Sequence, residues 1–472
     1  MYVLKYNLLY VIIINNMGGG VIQLVAYGAQ DIYLTGNPQI TFFKAVYKRH
    51  TMFAIENFPQ LAIGNARFGN KLTYVITRKA DLLGKSFLEL YLEFKDEDGK
   101  ILTFNEIRQE ICLTEGTNSL AKSFGYSLID YIEIEINGTK IDRHTGHWMA
   151  IQSELTKTFN ERINDMFLHD TFYNAPHISE NAILITIPLQ FWFNKDPGLY
   201  LPLVALQYHE VKINVKLNNE SLIIFTPGEF GRNSIFHKPV KTIDIIEMNL
   251  NCDYIYLDTE ERKRFAQNSH EYLIEQVQML PGEHCRSSNT DMLVPLTFNH
   301  PIKEIIWTIH DKANNALLGP IWSGQKDRIK KAVIQLNGVD RFPEKPGIYF
   351  QTIQKSNHHT GIDLHDFLSI NGYFVSKMLN SNSNVLFNEL DYTSLPIAKI
   401  DPFIYSFALE PQKHQPSGSC NFSRLDNAVL SMTLNQNSPD IIGEKGLDIR
   451  IYGLGYNVLR IVNGMGGLAY SN

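Results

Sequence analysis

Several groups of residues in this chain have types and spacings that invite a chemical reading. His144 and His147 flank a glycine just ahead of an apolar run, and His358-His359 stand close to Asp363 and His365. Imidazoles and carboxylates grouped in this way are common ligands of a transition metal. A two-histidine site on one helix face needs a spacing of four and a third ligand, and His144 and His147 supply neither. The second cluster lies in a stretch rich in Asn, Ser and His, which reads as a polar surface loop. Leu83-Gly84-Lys85-Ser86 has the end of a phosphate-cradling loop, but that motif requires glycine at position 79, where Lys79 stands. A strand-edge turn is expected there instead. Ser417-Gly418-Ser419 lacks the flanking glycines of a nucleophile elbow. Glu133 and Glu135 alternate with isoleucines, as solvent-facing residues of a half-buried strand do. The sequence therefore suggests no catalytic constellation, no cofactor and no metal, and an enzyme is not expected.

Composition narrows the class further. The 472 residues are 44% hydrophobic and 19% charged, enough apolar material for sizeable cores and too much for a disordered chain. The 27 Phe and 23 Tyr lean towards strands. With 43 basic against 49 acidic residues the net charge is −6, so the cationic excess that neutralises a phosphate backbone is missing, and direct nucleic-acid binding is not expected. The densest basic runs, Arg262-Lys263-Arg264 and Lys330-Lys331, stand beside Glu260-Glu261 and Asp327 and read as mixed-charge surface. Cys112, Cys252, Cys285 and Cys420 are widely separated, without the paired spacing of a zinc site or a disulfide framework, which fits a reducing compartment. None of the 15 histidines forms a His-x-His pair, the signature expected of a metal-holding jelly-roll enzyme. Sequons begin at Asn137, Asn219 and Asn421. The apolar run from Leu8 to Ile14 is far shorter than the roughly 20 residues that cross a bilayer. Residues 1–16 are expected to be an upstream extension, with Met17 as the alternative start.

The elements that would position these residues are strands, and a pattern among them occurs twice. Ile134-Glu135-Ile136-Asn137-Gly138, followed by Asp142-Arg143, is echoed by Ile334-Gln335-Leu336-Asn337-Gly338 with Asp340-Arg341, an offset of 334 − 134 = 200 residues. Each copy alternates apolar and polar residues into an Asn-Gly pair, which tolerates the positive φ of a tight hairpin. A weaker echo pairs the alternating run Val211 to Leu217 with Ala428 to Leu434, at 428 − 211 = 217. Two β-domains of similar size follow. Strand-like runs are expected at Thr41–Tyr47, Leu72–Thr77, Phe87–Phe94, Ile129–Ile136, Ile183–Gln190 and Val211–Leu217. In the second half they fall at Asp253–Leu257, Tyr272–Gln278, Leu293–Phe298, Glu304–Ile309, Ala332–Leu336, Ile404–Leu409 and Asn457–Ile461. Trp148, Ile151, Leu155, Phe159, Ile163 and Met166 form one stripe of a core-packing helix. Asp258-Thr259-Glu260-Glu261 has the order of a helix N-terminus, with a helix through Phe265. Residues 218–241, with Pro227-Gly228 and Pro239, resemble a linker, which places the division at 1–40 for an arm, 41–240 for the first domain and 241–472 for the second.

Ordered stretches along the whole chain from Met17 resemble one family, the double jelly-roll major capsid proteins of large icosahedral double-stranded DNA viruses of the phycodnavirus, mimivirus and iridovirus kind. They begin with Gln23 to Asp31 and Thr35 to Lys44 and continue with Leu206-Gln207-Tyr208-His209-Glu210-Val211. Next come Asp258-Thr259, Arg264-Phe265-Ala266-Gln267 and His270 to Gln276. Phe298-Asn299-His300-Pro301, Gln335 to Gly338, Gln415-Pro416-Ser417-Gly418, Asn457 to Ile461 and Gly464 to Tyr470 complete the series. Residues 1–16, 96–122 and 356–402 depart from it. The resemblance implies an all-β fold of two tandem eight-stranded antiparallel jelly rolls with short helices and long loop insertions. It also implies a homotrimer with pseudo-hexagonal outline that tiles an icosahedral shell. Expected partners are further copies of the chain, minor capsid proteins and penton proteins, with the internal membrane near the N-terminal arm. A minor capsid paralogue is one alternative; another is a tandem jelly-roll glycan-binding module, with Trp322 and Tyr373 as its stacking residues.

Overall fold

The computed structural model describes residues 23–24, 26, 28–96, 98–103, 124–158, 161, 173–220, 241–281, 283–285, 291–311, 329–361, 402–435 and 447–470. The chain divides into two units, Met1–Thr51 and Met52–Asn472. In the first, a one-turn helix, Ile32–Thr35, precedes turns and coil in which Phe42, Phe43 and Tyr47 are exposed. The strand expected at Thr41–Tyr47 does not form. The run is apolar enough, but among the described residues no second strand pairs with it, and a strand without a ladder leaves its backbone groups unpaired.

The second unit contains two barrels. In chain order the first has β1 (Phe53–Gln60), β2 (Lys71–Val75), β3 (Leu82–Lys95), β4 (Ile129–Ile136), β5 (Thr139–Thr145), β6 (Ile183–Pro188), β7 (Val211–Leu217) and β8 (Thr242–Leu257). The second has β9 (His270–Met279), β10 (Asp291–Pro295), β11 (Pro301–Asp311), β12 (Ile329–Leu336), β13 (Val339–Asp340), β14 (Phe403–Ser406), β15 (Ala428–Leu434) and β16 (Leu447–Val462). Their sheets run β1-β8-β3-β6 and β2-β7-β4-β5 in the first barrel, and β9-β16-β11-β14 and β10-β15-β12-β13 in the second. Each strand of the first barrel thus has its counterpart eight places later, and all these pairings are antiparallel. A final strand, β17 (Met465–Leu468), folds back on β16.

Local sequence accounts for most of this. Asn137-Gly138 joins β4 to β5 with φ of 51° and 77°, and Asn337-Gly338 joins β12 to β13 with 50° and 78°, the two positive values a type I′ hairpin needs. Asn463-Gly464, at 51° and 80°, makes the same turn before β17. Alternation fills the cores: Ile132, Ile134 and Ile136 face Ile213 and Val215 in the first, and Ile334 joins Leu430 and Met432 in the second. Each such side chain contributes about 1.5–3 kcal/mol on burial. A further echo is visible only in three dimensions. A Cβ on Gly146 would lie 2.5 Å from the Ile129 carbonyl oxygen, and one on Gly347 would lie 2.2 Å from that of Ile329. Both barrels therefore wedge a glycine against the first residue of an equivalent strand, β4 or β12.

Two expectations about boundaries change. β8 pairs along its length with β1 and β3, so the strand beginning at Thr242 closes the first barrel, and the second does not start at 241. The connection is instead the helix Thr259–Gln267, with Asp258 at its N-cap position but without a side-chain cap bond. Arg262 anchors it, its Nε 2.9 Å from Asp81 Oδ1. Leu83 to Ser86 is no turn: it lies inside β3, where Gly84 leaves room for Ile255 and the Tyr200 ring. The apolar helix spans Gly146–Thr156, and Thr145 caps it by accepting from the Trp148 N–H at 3.1 Å. Phe159, Ile163 and Met166, and the linker residues 221–240, lie outside the described residues.

Candidate functional site: the seam between the barrels

The two barrels meet along a seam built from unlike surfaces. The first contributes the β5 edge, the helix Gly146–Thr156 and the loops that follow β6. The second contributes the outer face of β9-β16-β11-β14, whose Ile274, Ile306, Ile404, Leu454 and Leu459 join the first barrel's core. Tyr452 on β16 is the centre of this contact: its hydroxyl lies 2.6 Å from His147 Nδ1, and its ring centroid is 5.3 Å from that of Trp148. The exposed edge of β9 is closed by side chains, since Asp142 Oδ1 accepts from the Val277 N–H at 3.1 Å and Gln276 Nε2 donates to the Ile141 carbonyl. Capping of this kind prevents an open edge from pairing elsewhere.

The C-terminal hairpin clasps the first barrel. The Tyr208 N–H donates to the Gly464 carbonyl at 3.0 Å, and His209 Nδ1 lies 3.0 Å from Gly466 N and 2.9 Å from Gly466 O. One nitrogen cannot serve both at once: unprotonated, it accepts from the N–H, and protonated, it donates to the carbonyl. A Cβ on Gly466 would come within 2.5 Å of Leu206, and one on Gly464 within 2.6 Å of the Tyr208 ring.

The seam also holds a charged cluster. Glu275 on β9 sits between Lys195 Nζ, 2.7 Å away on the first barrel, and Lys303 Nζ on β11, which also reaches the Pro411 carbonyl. Burial works to raise the Glu275 carboxyl, but the two ammonium groups outweigh it and hold it down to about 2. Glu304 is buried too. Desolvation pushes its pKa up, yet His359, whose Nε2 is 3.0 Å away, and Lys303 keep it below the usual carboxylate value. His359 Nδ1 accepts from Gln412 Nε2 at 3.1 Å, an orientation fixed because the same amide nitrogen donates to the Leu155 carbonyl at 2.7 Å while Oε1 accepts from Thr360. A cavity of about 230 Å³ separates these groups from Trp148, Gln152 and Asn194.

The residues that the sequence singled out for chemistry are mostly spoken for. His144 stacks on Phe191 at 4.7 Å and lies 2.9 Å from Asp142, whereas His147 belongs to the Tyr452 contact, so the two do not converge. His358 Nδ1 is 3.1 Å from the Leu409 carbonyl, and Asp363 and His365, like Trp322 and Tyr373, lie outside the described residues. Among the described residues no group of three or more His, Cys, Asp or Glu could hold a metal ion. Glu133 corrects an expectation. It is buried rather than solvent-facing, because Arg143 (2.6 Å) on the adjacent β5 and Lys71 (2.9 Å) on β2, two strands away, fold over it. Burial works to raise its pKa, and these two cations lower it below the ordinary carboxylate range. Asn137, Asn219 and Asn421 are all exposed. Sequence reasoning missed Glu275, Lys303 and the wedge glycines, whose separation of 347 − 146 = 201 is one residue off the 200-residue offset of the hairpin echo.

Two eight-stranded jelly rolls in tandem, joined by a specific seam, define a double jelly-roll protein. Residues 41–258 match the profile of the major capsid protein N-terminus, and residues 261–363 and 392–467 match that of the large eukaryotic DNA virus major capsid protein. The break between the profiles falls at the connecting helix. The major capsid protein of Pyramimonas orientalis virus is 39% identical over 466 residues, covering 97% of this chain and 100% of its relative. That of Paramecium bursaria Chlorella virus 1 is 34% identical with the same coverage. A chain of the PBCV-1 virus capsid superposes with a TM-score of 0.67 at 30% identity, covering 92% of this chain and 100% of the other. This chain belongs to the family of major capsid proteins of large eukaryotic DNA viruses, and it is a structural component of the virion shell.

Proposed function

We propose that the chain assembles as a homotrimer whose six barrels approximate a hexagon, and that these capsomers tile an icosahedral shell. The observation that carries this is the strand-for-strand repetition of one barrel by the other, which gives a threefold object a nearly sixfold outline. Its work is mechanical, and no reaction is assigned to it. Neighbouring capsomers, minor capsid proteins and penton proteins are the partners of the assembled shell, and nucleic acid is not among them. The N-terminal arm faces inwards. From Ile32 to Thr51 the first unit carries Lys44, Lys48 and Arg49 with no acidic residue, and it exposes Tyr33, Phe42, Phe43 and Tyr47, a composition suited to an anionic internal membrane. Light scattering of the purified protein tests the oligomer. A species at 3 × 54.0 = 162 kDa is expected, and a stable 54.0 kDa monomer at assembly concentrations would refute the homotrimer.

A further inference from the structure

Four buried polar groups around the seam cavity have no partner within the protein. Trp148 and Gln152, on the helix Gly146–Thr156, and Gln190 and Asn194, after β6, line the cavity from the first barrel, and each is no more than 9% exposed. The Trp148 indole N–H and the side-chain carbonyl oxygens of Gln152, Gln190 and Asn194 make no hydrogen bond to the protein. Such groups are uncommon in native interiors, because each has left water without a replacement bond. Two of the amides are fixed in orientation by their other ends. Gln190 Nε2 donates to Tyr126 Oη and to the Met149 carbonyl, both at 3.1 Å, and Asn194 Nδ2 donates to the Gly84 carbonyl at 3.2 Å. Flipping either amide would set oxygen against a carbonyl oxygen, so both keep an unused acceptor.

Charge narrows the class of ligand. Lys195 and Lys303 are engaged by Glu275, and Glu304 pairs with His359, whose Nδ1 accepts from Gln412 and so belongs to the neutral tautomer. A cation in the cavity would meet both of these ammonium groups and that of Lys157; an anion would meet two carboxylates and three amide oxygens. A neutral molecule avoids both penalties. Hydroxyl groups suit the unpartnered atoms, since one hydroxyl can donate to an amide oxygen and accept from an indole N–H. Three separate acceptors call for several hydroxyls on one ligand, and Leu155, Leu189, Ile306 and Leu454 supply apolar wall for its carbon skeleton. Pockets for drug-sized ligands run to about 300–1,000 Å³. At about 230 Å³ this cavity suits something smaller, of a single ring.

We propose that the seam cavity binds a small neutral polyol, of the size and chemistry of a cyclitol or hexose, held between the two barrels. Its lining comes from both, with Ile306 on β11 and Leu454 on β16 facing the first-barrel residues across it. Such a ligand binds the docked arrangement of the barrels and stabilises it. The site lies within one chain and does not depend on the oligomer.

Saturation-transfer NMR on the full-length protein tests this, with myo-inositol and D-glucose as probes and cyclohexanol as a ring carrying one hydroxyl. Both polyols should give saturable signals with dissociation constants of about 1 mM or lower, and cyclohexanol should bind at least about tenfold more weakly. Gln152→Leu keeps the side chain's length, and the oxygen it removes has no protein partner to lose. Its circular dichroism and melting temperature should match the wild type while its affinity for both polyols falls about tenfold or more. Hydrogen exchange localises the site without any variant: saturating myo-inositol should slow exchange in residues 146–156 and leave β15 unchanged. The absence of a saturable signal from either polyol would mean that water alone fills the cavity, and would overturn the proposal. Cyclohexanol binding as tightly as myo-inositol, full affinity in a folded Gln152→Leu, or no protection of residues 146–156 would each overturn it as well.

Discussion

His209 and Gly466 stand 257 residues apart in sequence and meet at 3.0 Å in the fold, one in the loop before β7 and the other in the last strand. Both lie within the stretches that carry the family resemblance, Leu206 to Val211 and Gly464 to Tyr470. These motifs are therefore the two halves of one clasp that fixes the second barrel on the first. Two features make the clasp demanding of glycine: Gly464 adopts a φ of 80°, and its missing Cβ makes room for the Tyr208 ring.

Gly464→Val is accordingly expected to destabilise the protein by about 2 kcal/mol or more, combining left-handed backbone strain with a displaced aromatic ring. The loss should be local before it is global. Limited proteolysis should release the C-terminal hairpin from the variant at a protease level that leaves the wild type intact, and equal resistance of the two would contradict the clasp.

The cluster at Glu275 predicts an acid limb. Its carboxyl is held down to about 2, so its stabilising effect is complete above the ordinary carboxylate range and disappears as the pH falls from roughly 4.5 towards 2. The depression corresponds to about 3 kcal/mol at most. Glu275→Gln should flatten this limb. It should also lower stability at neutral pH by about 3–5 kcal/mol, because Lys303, 1% exposed, would lose its carboxylate partner. Urea denaturation across this pH range measures both effects, and an unchanged acid limb in the variant would assign it to other carboxylates.

How much of this was legible follows from the range of each interaction. β4 and β7 were read to the residue, since alternation and the Asn137-Gly138 turn are local properties. The start of the second barrel was misplaced because β8 follows a proline- and glycine-bearing stretch that resembles a linker, and only its pairing with β1 and β3 shows which barrel it completes. Glu133 was misread because period-two alternation gives the face of a strand and not what covers it: Arg143 stands opposite across the Asn137-Gly138 hairpin, and Lys71 reaches over from a strand distant in sequence. Lys195, Glu275 and Lys303 carry no linear signature, and their proximity is a product of the seam.

Cys252 offers a readout of barrel opening. It is fully buried between β1 and β3, and burial pushes its thiol up to about 12, so almost no thiolate exists at neutral pH. Cys420 is only partly buried and should react with a thiol reagent before Cys252 in the native protein. Labelling of Cys252, followed by peptide mass spectrometry, should proceed only at the rate of unfolding and accelerate with denaturant. Rapid native labelling would mean that the β1 edge opens independently of the barrel.

The wedge glycines give the strictest test of the repeat. Gly146 and Gly347 each press against the carbonyl of the first residue of an equivalent strand, Ile129 or Ile329, and a methyl group would lie at 2.5 Å and 2.2 Å from those oxygens. Backbone on both sides of the contact leaves no flexible side chain to yield. Gly146→Ala and Gly347→Ala should therefore cost a similar amount, about 3 kcal/mol or more each, in the range of overpacked cores and strained backbone. Gly138→Ala provides the contrast, because a Cβ there meets nothing within 4 Å and only its φ of 77° opposes the change, at about 1 kcal/mol. Melting temperatures of the three variants should fall into one mild and two severe cases. A mild Gly347→Ala beside a severe Gly146→Ala would show that the two barrels, although alike in topology, do not share this packing constraint.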